Sequence, residues 1–220
     1  MIFSPIKIGS LEVSNRIVVA PMCQYSAING VMTDWHTQHL MQLGYSAAGL
    51  IMVEATAVEK IGRITHNCVG IYDNKCIVSL KKNLQLAKSV APNKSCFGIQ
   101  LAHAGRKAST QRPWEGRSAL TKGEIPWKTI SPSSIPFQET WHVPEEMKLS
   151  DIERVKKKFI SASLKAVEIG FDLIEIHGTH GYLIHQFLSP ISNKRKDKYG
   201  GNLENRMRFP LEIFSSIKDC

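Results

Sequence analysis

Leu173-Ile-Glu-Ile176-His177-Gly-Thr-His180-Gly-Tyr182 begins as a short aliphatic run and ends in imidazoles, glycines and a phenol. The run reads as a strand buried on both faces, and the polar end as the loop that leaves it. Just upstream, Ser150-Asp-Ile-Glu153 reads as a capping box, the Ser oxygen taking a backbone N–H while the Glu reaches back. The apolar positions Ile152, Val155, Phe159, Ala162 and Ala166 then recur every three to four residues, and Gly170 closes the helix. Towards the N-terminus the same unit returns. Arg16-Ile-Val-Val-Ala20, Leu50-Ile-Met-Val53 and Phe97-Gly-Ile-Gln-Leu101 are further buried runs. Helical patterns start near Thr33, running to Ala48 with Gly49 as stop, and near Asp73, ending before Pro92. Another runs from Asn202 through Met207, Leu211 and Phe214 to the end of the chain. Alternating strands and helices predict an α/β domain with a parallel sheet, either doubly wound or a (β/α)8 barrel. No G-x-G-x-x-G follows the first strand and no G-x-x-x-x-G-K-[ST] occurs, which weakens the dinucleotide and P-loop folds.

Composition limits the partners. The chain has 220 residues, 43% hydrophobic and 21% charged, so a disordered chain is excluded. No apolar run approaches the ~20 residues that span a bilayer. Residues 1–10 lack the basic and apolar halves of a secretory signal, so a cytoplasmic protein is expected. The net charge of +9 is a statement about solubility and steering before it is one about nucleic acid. The basic clusters at Lys194-Arg195-Lys196 and 156–158 carry no interleaved aromatics, and the second reads as the solvated face of a helix. Nucleic acid is therefore not an expected partner. The five cysteines, Cys23, Cys68, Cys76, Cys96 and Cys220, form no C-x-x-C and read as reduced thiols.

Residues 102–149 make a connection far longer than an ordinary βα loop. Its prolines at 113, 126, 132, 136 and 144 and its tryptophans at 114, 127 and 141 predict an ordered lid. Because the lid follows a strand, it is expected on the C-terminal face of the sheet, where such folds keep their chemistry.

Polar residues collect after every predicted strand. They are Pro21-Met22-Cys23-Gln24-Tyr25, then Glu54-Ala55-Thr56-Ala57, then Gln100 with His103 and Arg106, then His177 to Tyr182. In a parallel sheet these ends are neighbours, so they predict one site. His177 and His180 could together donate hydrogen bonds to one oxygen and polarise a carbonyl, and Tyr182 could act as a general acid. The same histidines could instead bond backbone at a strand end. H-x-x-H is a weak zinc signal, so no metal site is expected. Gln100 must find a partner if buried, either a flat heteroaromatic ligand or a neighbouring strand. Cys23 could be an inert thiol or a cofactor contact, and Tyr25 a core aromatic or a site wall. Arg106 and Arg112 are read as solvated or as lid anchors, with contact to an anion as the lesser alternative. The stretch from Ser192 to Arg206, with Gly200-Gly201 as a turn, reads as hydrogen-bonded architecture rather than catalytic machinery.

These motifs, in this order, resemble the Old Yellow Enzyme family of flavin-dependent ene-reductases. The closest likeness is to the thermophilic-like subgroup of NADPH dehydrogenases and xenobiotic reductases. The likeness is carried by Pro21-Met-Cys-x-Tyr25, Val53-Glu-Ala-Thr-Ala57 and Gln100-Leu-Ala-His-Ala-Gly-Arg-Lys107. It continues through Glu175-Ile-His-x-x-His-Gly-Tyr-Leu183 and Ser192-Asn-x-Arg-x-Asp-x-Tyr-Gly-Gly to Asn205-Arg206. The resemblance implies a (β/α)8 barrel with FMN at its C-terminal mouth, reduced by NADPH or NADH. It implies that Ala20, Pro21, Met22, Cys23, Ala55 and Gln100 line FMN. It also implies that His177 and His180 bind the oxygen of an α,β-unsaturated enone or enal, that Tyr182 protonates the α-carbon, and that Tyr25 closes the pocket. Ala20 stands where relatives often have Ser, and Thr179 where Ala is common.

The predicted strands amount to the first four βα units of such a barrel, as a single domain over 1–220. Four more units of ~30 residues would bring the chain to roughly 340. The strands not seen here carry, by resemblance, an Arg at the flavin and the phosphate site. The family implies a homo-oligomer at full length. The alternative expectation is a non-catalytic half-barrel that self-associates or needs a complementary half.

Overall fold

A computed structural model describes residues 1–92 and 95–218; the thiol expected at Cys220 lies outside the described residues. The chain opens with a hairpin absent from the sequence reading. Strands β1 (Ile6–Ile8) and β2 (Leu11–Val13) pair antiparallel around Gly9, whose φ of +60° needs no Cβ. The order then continues β3 (Val18–Val19), α1 (Asp34–Tyr45), β4 (Leu50–Ala57), α2 (Asn74–Val90) and β5 (Cys96–Ala102). Within the lid lie β6 (Ile130–Ser131) and β7 (Glu145–Glu146). The chain closes with α3 (Leu149–Ile169), β8 (Leu173–Ile176), α4 (Leu183–Leu188) and α5 (Leu203–Lys218).

The main sheet has the order β3-β4-β5-β8, every pair parallel, as the α/β reading expects. Its outer face packs under the helices. Ile51, Val53, Phe97, Ile99 and Leu101 meet Leu80 and Leu84 of α2 and Phe159 and Ala166 of α3 in one core. Its inner face is layered. At the bottom, Leu50, Met52 and Cys96 join Val13, Ile6, Leu11 and Leu173, so the hairpin covers the N-terminal ends of the strands. Gly98 sits beside Met52, where any Cβ would collide with the Met sulfur. Higher up, the inner positions are Gln100 and Glu175. A register irregularity between Val53 and Thr56 shifts the alternation of β4 by one residue. Ala55 therefore continues the inner face, while Glu54 turns back towards α1.

Several boundaries moved. β3 holds two ladder residues rather than five, because after Val19 the chain departs into Ala20-Pro21 and Pro has no N–H to pair. α1 stops at Tyr45, and Ala47 turns left-handed at φ 60° before Gly49. α2 is capped where expected, with the Asp73 carboxylate accepting from the Cys76 N–H at 2.9 Å. α3 begins at Leu149, with Lys148 at its cap. The Ser150 box is thus displaced by two residues. Asp151 supplies the carboxylate, accepting from the Lys148 N–H at 3.0 Å. Its five apolar positions are buried and Gly170 ends it at φ 104°, as read. α4 was not anticipated.

The lid is ordered and pinned. Arg106 Nη1 donates to the Ile135 and Pro136 carbonyls at 3.2 and 3.1 Å. Trp127 Nε1 donates to the Ile61 carbonyl at 3.0 Å. Arg195 is buried, forks onto Asp197, and donates to the Pro132 and Met147 carbonyls at 3.0 and 2.6 Å. Lys156 is not part of a solvated face. It is half-buried and bridges Glu153 to Glu212 of α5 at 2.6 and 2.7 Å. Among the described residues, no helix is long and apolar enough to cross a membrane.

Candidate active site

The C-terminal ends of β3, β4, β5 and β8 surround an open cavity of about 390 Å³. Ala20, Pro21 and Cys23 line it from the segment after β3, Ala55 from β4 and Gln100 from β5. His177, His180 and Tyr182 line it from the end of β8 and the loop that follows, and Tyr25 from the segment after β3. Met22 does not line it: its side chain is exposed and borders a crevice with His36, His39 and Glu54.

The segment after β3 is held from behind. The Gln24 N–H donates to Glu54 Oε2 at 3.0 Å, and Gln24 Nε2 to the Met22 carbonyl at 2.8 Å. Trp35 Nε1 donates to Gln24 Oε1 at 3.2 Å. His36 Nε2 lies 3.4 Å from Glu54 Oε1, both side chains buried. This brace leaves Tyr25 at φ 51°, turned back over the cavity. Burial pushes the Cys23 thiol up, with Cys68 and the Glu54 charge adding to it, so the sulfur stays protonated at neutral pH.

The loop after β8 folds on itself. His180 sits at φ 55° and Gly181 at φ 71°, and the Gly181 N–H donates to His185 Nδ1 at 3.0 Å. The turn brings His180 Nδ1 within 3.3 Å of His177 Nε2. Both imidazoles meet the Tyr182 ring edge-on, at centroid distances of 5.0 and 6.3 Å. Burial, then the neighbouring His180 and Lys107, lowers His177 to about 4, so it is neutral at physiological pH. Burial also raises Tyr182 far above an ordinary phenol, with Cys23, Tyr25 and Cys68 reinforcing it, so it keeps its proton. Burial and the same thiols raise Tyr25.

Gln100 Nε2 donates to Glu175 Oε1 at 2.6 Å across the inner face. That leaves the amide oxygen without a partner among the described residues. The donor set fits a flat heteroaromatic ring. Ala20 and Ala55 offer no bulk, and Gln100 and Glu175 present an amide and a carboxylate edge. Sequence reasoning placed Glu54 in the cluster after the second predicted strand, and Glu175 and Lys107 within motifs, but gave none of the three a role. The first two carried a signal, since a carboxylate inside an otherwise apolar strand is rarely buried without a task.

Comparison with known proteins gives this geometry a family. The model of the NADH:flavin oxidoreductase / NADH oxidase family matches residues 1–220. The chain belongs to that family. It is 45% identical to an NADH:flavin oxidoreductase of Gibberella zeae, over 99% of this chain and 53% of the relative. It is 43% identical to an NADPH dehydrogenase of Geobacillus sp., over 100% of this chain and 60% of the relative. Among solved structures, the Old Yellow Enzyme from Pichia sp. superposes with a TM-score of 0.85 at 30% identity, covering 99% of this chain and 56% of that one. Morphinone reductase in complex with tetrahydroNAD superposes with a TM-score of 0.84 at 25% identity, over 99% and 60%. The chain thus spans somewhat over half the length of the curated relatives it matches, 53% and 60% of these two.

Proposed function

We propose that this chain forms the N-terminal half of an FMN-binding (β/α)8 barrel, as one structural unit, that reduces activated alkenes with NADPH or NADH. Bound FMN would supply hydride transfer from the reduced nicotinamide to the alkene. Ala20, Pro21, Cys23, Ala55 and Gln100 would hold it, Gln100 through its unpartnered amide oxygen, whereas the Met22 side chain faces away from the cavity. His177 and His180 bind the carbonyl oxygen of an α,β-unsaturated enone or enal. A neutral His177 can donate an N–H there without bringing a positive charge into the site. Tyr182 keeps its proton until the α-carbon gains electron density, then delivers it. Tyr25 covers the substrate. The natural setting is the cytoplasm, and the complete protein is a homo-oligomer.

The supporting observation is that His177, His180 and Tyr182 share one cavity with Cys23, Ala55 and Gln100. Flavin spectroscopy tests the reading. Purified protein should take up FMN, bleach on anaerobic addition of NADPH and recover its colour with an enone. In the His177→Ala variant the enone should restore colour far more slowly. Failure to take up FMN, or equal recovery in the variant, would overturn it.

A further inference from the structure

A second chamber of about 370 Å³ adjoins the site. Tyr25 and Tyr182 are shared walls of the two cavities, and the lid contributes Phe137 and Trp141 to the outer one. Among the described residues its charged lining is Lys107 and Arg117, with no carboxylate. Lys107 is half-buried. Its Nζ lies 4.6 Å from the Phe137 ring centroid and 5.2 Å from that of Tyr182, and donates to the His180 carbonyl at 2.9 Å. Burial, then the Arg106 charge, pulls Lys107 down from its ordinary value. No ion pair forms at Lys107, Arg106 or Arg117 among the described residues, whereas Lys88, Lys128, Lys156, Arg154 and Arg195 all have acidic partners. An ammonium partly removed from water without a counter-charge is costly, and an incoming anion relieves that cost. The aromatic walls suit a planar group carrying the anion.

We propose that this outer chamber is a recognition subsite for a planar ligand segment bearing a carboxylate or phosphate, with Lys107 and Arg117 as its specificity-determining cations. The inference rests on the catalytic reading above, because the reacting end of the ligand occupies the inner cavity. The anion has two sources, a carboxylated aryl substituent of the enone or the phosphate of the reductant.

Calorimetric titration of the FMN-supplemented protein separates them. The first arm compares para-carboxylated benzylideneacetone with its methyl ester. The second compares nicotinamide mononucleotide with nicotinamide riboside, which lacks the phosphate. The charged member of at least one pair should bind about tenfold more tightly, the size of one half-buried charge-assisted contact. That advantage should shrink with ionic strength, fall away in Lys107→Met and survive in Lys107→Arg. The salt series uses the unaltered protein, so the outcome does not depend on the variants folding. An advantage in the first arm assigns the anion to the substrate, and one in the second assigns it to the reductant. Equal binding within both pairs overturns the subsite and leaves the catalytic reading standing. No binding by either enone overturns that reading, and the subsite with it.

Discussion

In the proposed reaction Tyr182 gives the proton, and its surroundings keep it protonated until then. Burial comes first, and Cys23, Tyr25 and Cys68 add to it. Removing only the hydroxyl, in Tyr182→Phe, should slow alkene reduction about a hundredfold. Enone affinity should change little, because the ring and its edge contacts to both histidines persist. Stopped-flow reoxidation against enone titration separates the two effects. His177 gives a second expectation. With its value lowered to about 4, it stays neutral across the ordinary range. The share of enone affinity that depends on His177 should therefore be flat from about pH 5 to 8 and change only on further acidification. An inflection near the ordinary histidine value that persists in His180→Asn would contradict a neutral His177. These residues were legible in the sequence because they are adjacent in it and follow an obvious strand. The roles of Glu54 and Glu175 were not. Which face a strand residue takes depends on register, and the irregularity between Val53 and Thr56 leaves no mark in composition.

Among the elements, α3 shows what periodicity reveals and what it hides. Its buried stripe was readable because Ile152, Val155, Phe159, Ala162 and Ala166 repeat at helical spacing. Its first turn was not, because the cap falls on Lys148, whose side chain carries no acceptor, and Asp151 accepts from its N–H instead. The six residues of α4 are too few for a period to appear, and the three-residue strands of the hairpin likewise. One cluster joins three elements at the top of the sheet. Glu59, just past β4, pairs with His103, after β5, at 2.9 Å and with Arg154 of α3. Burial alone would raise the Glu59 carboxyl, but the bonds and charges of His103 and Arg154 outweigh it and hold it at about 2, against an ordinary 4.5. Between these values the unfolded chain takes up the proton first. The contribution is complete above about 4.5 and is lost as pH falls towards 2. Glu59→Gln should cost about 2 kcal/mol at neutral pH. It should also flatten the acid limb of the stability curve in that window, measured by denaturant titration at successive pH values.

Across the whole molecule, the two ends of the sheet have separate tasks. The C-terminal ends carry polar groups around open cavities. The N-terminal ends are sealed by the β1–β2 hairpin, through Val13, Ile6 and Leu11 on Leu50, Met52, Cys96 and Leu173. The division follows from strand polarity, since every strand of a parallel sheet presents the same end to the same side. It was half legible: the clustering of polar residues after each strand announced the functional end, but nothing in the alternation of Ile6 to Val13 announced a plug. The separation predicts independence. Val13 is 1% exposed, and Val13→Ala removes two methyl groups from the seal. The loss of transfer energy and the cavity left behind should cost about 2 kcal/mol of unfolding free energy. Cys96, 8% exposed beneath the hairpin, should then react faster with a thiol reagent. FMN affinity at low temperature should stay within about twofold of the unaltered protein, because Val13 shares no partner with the cavity residues. Thiol labelling followed by mass spectrometry and flavin titration on one preparation makes the comparison. A loss of FMN affinity that tracks the Cys96 reactivity would show instead that the seal and the site form one cooperative unit.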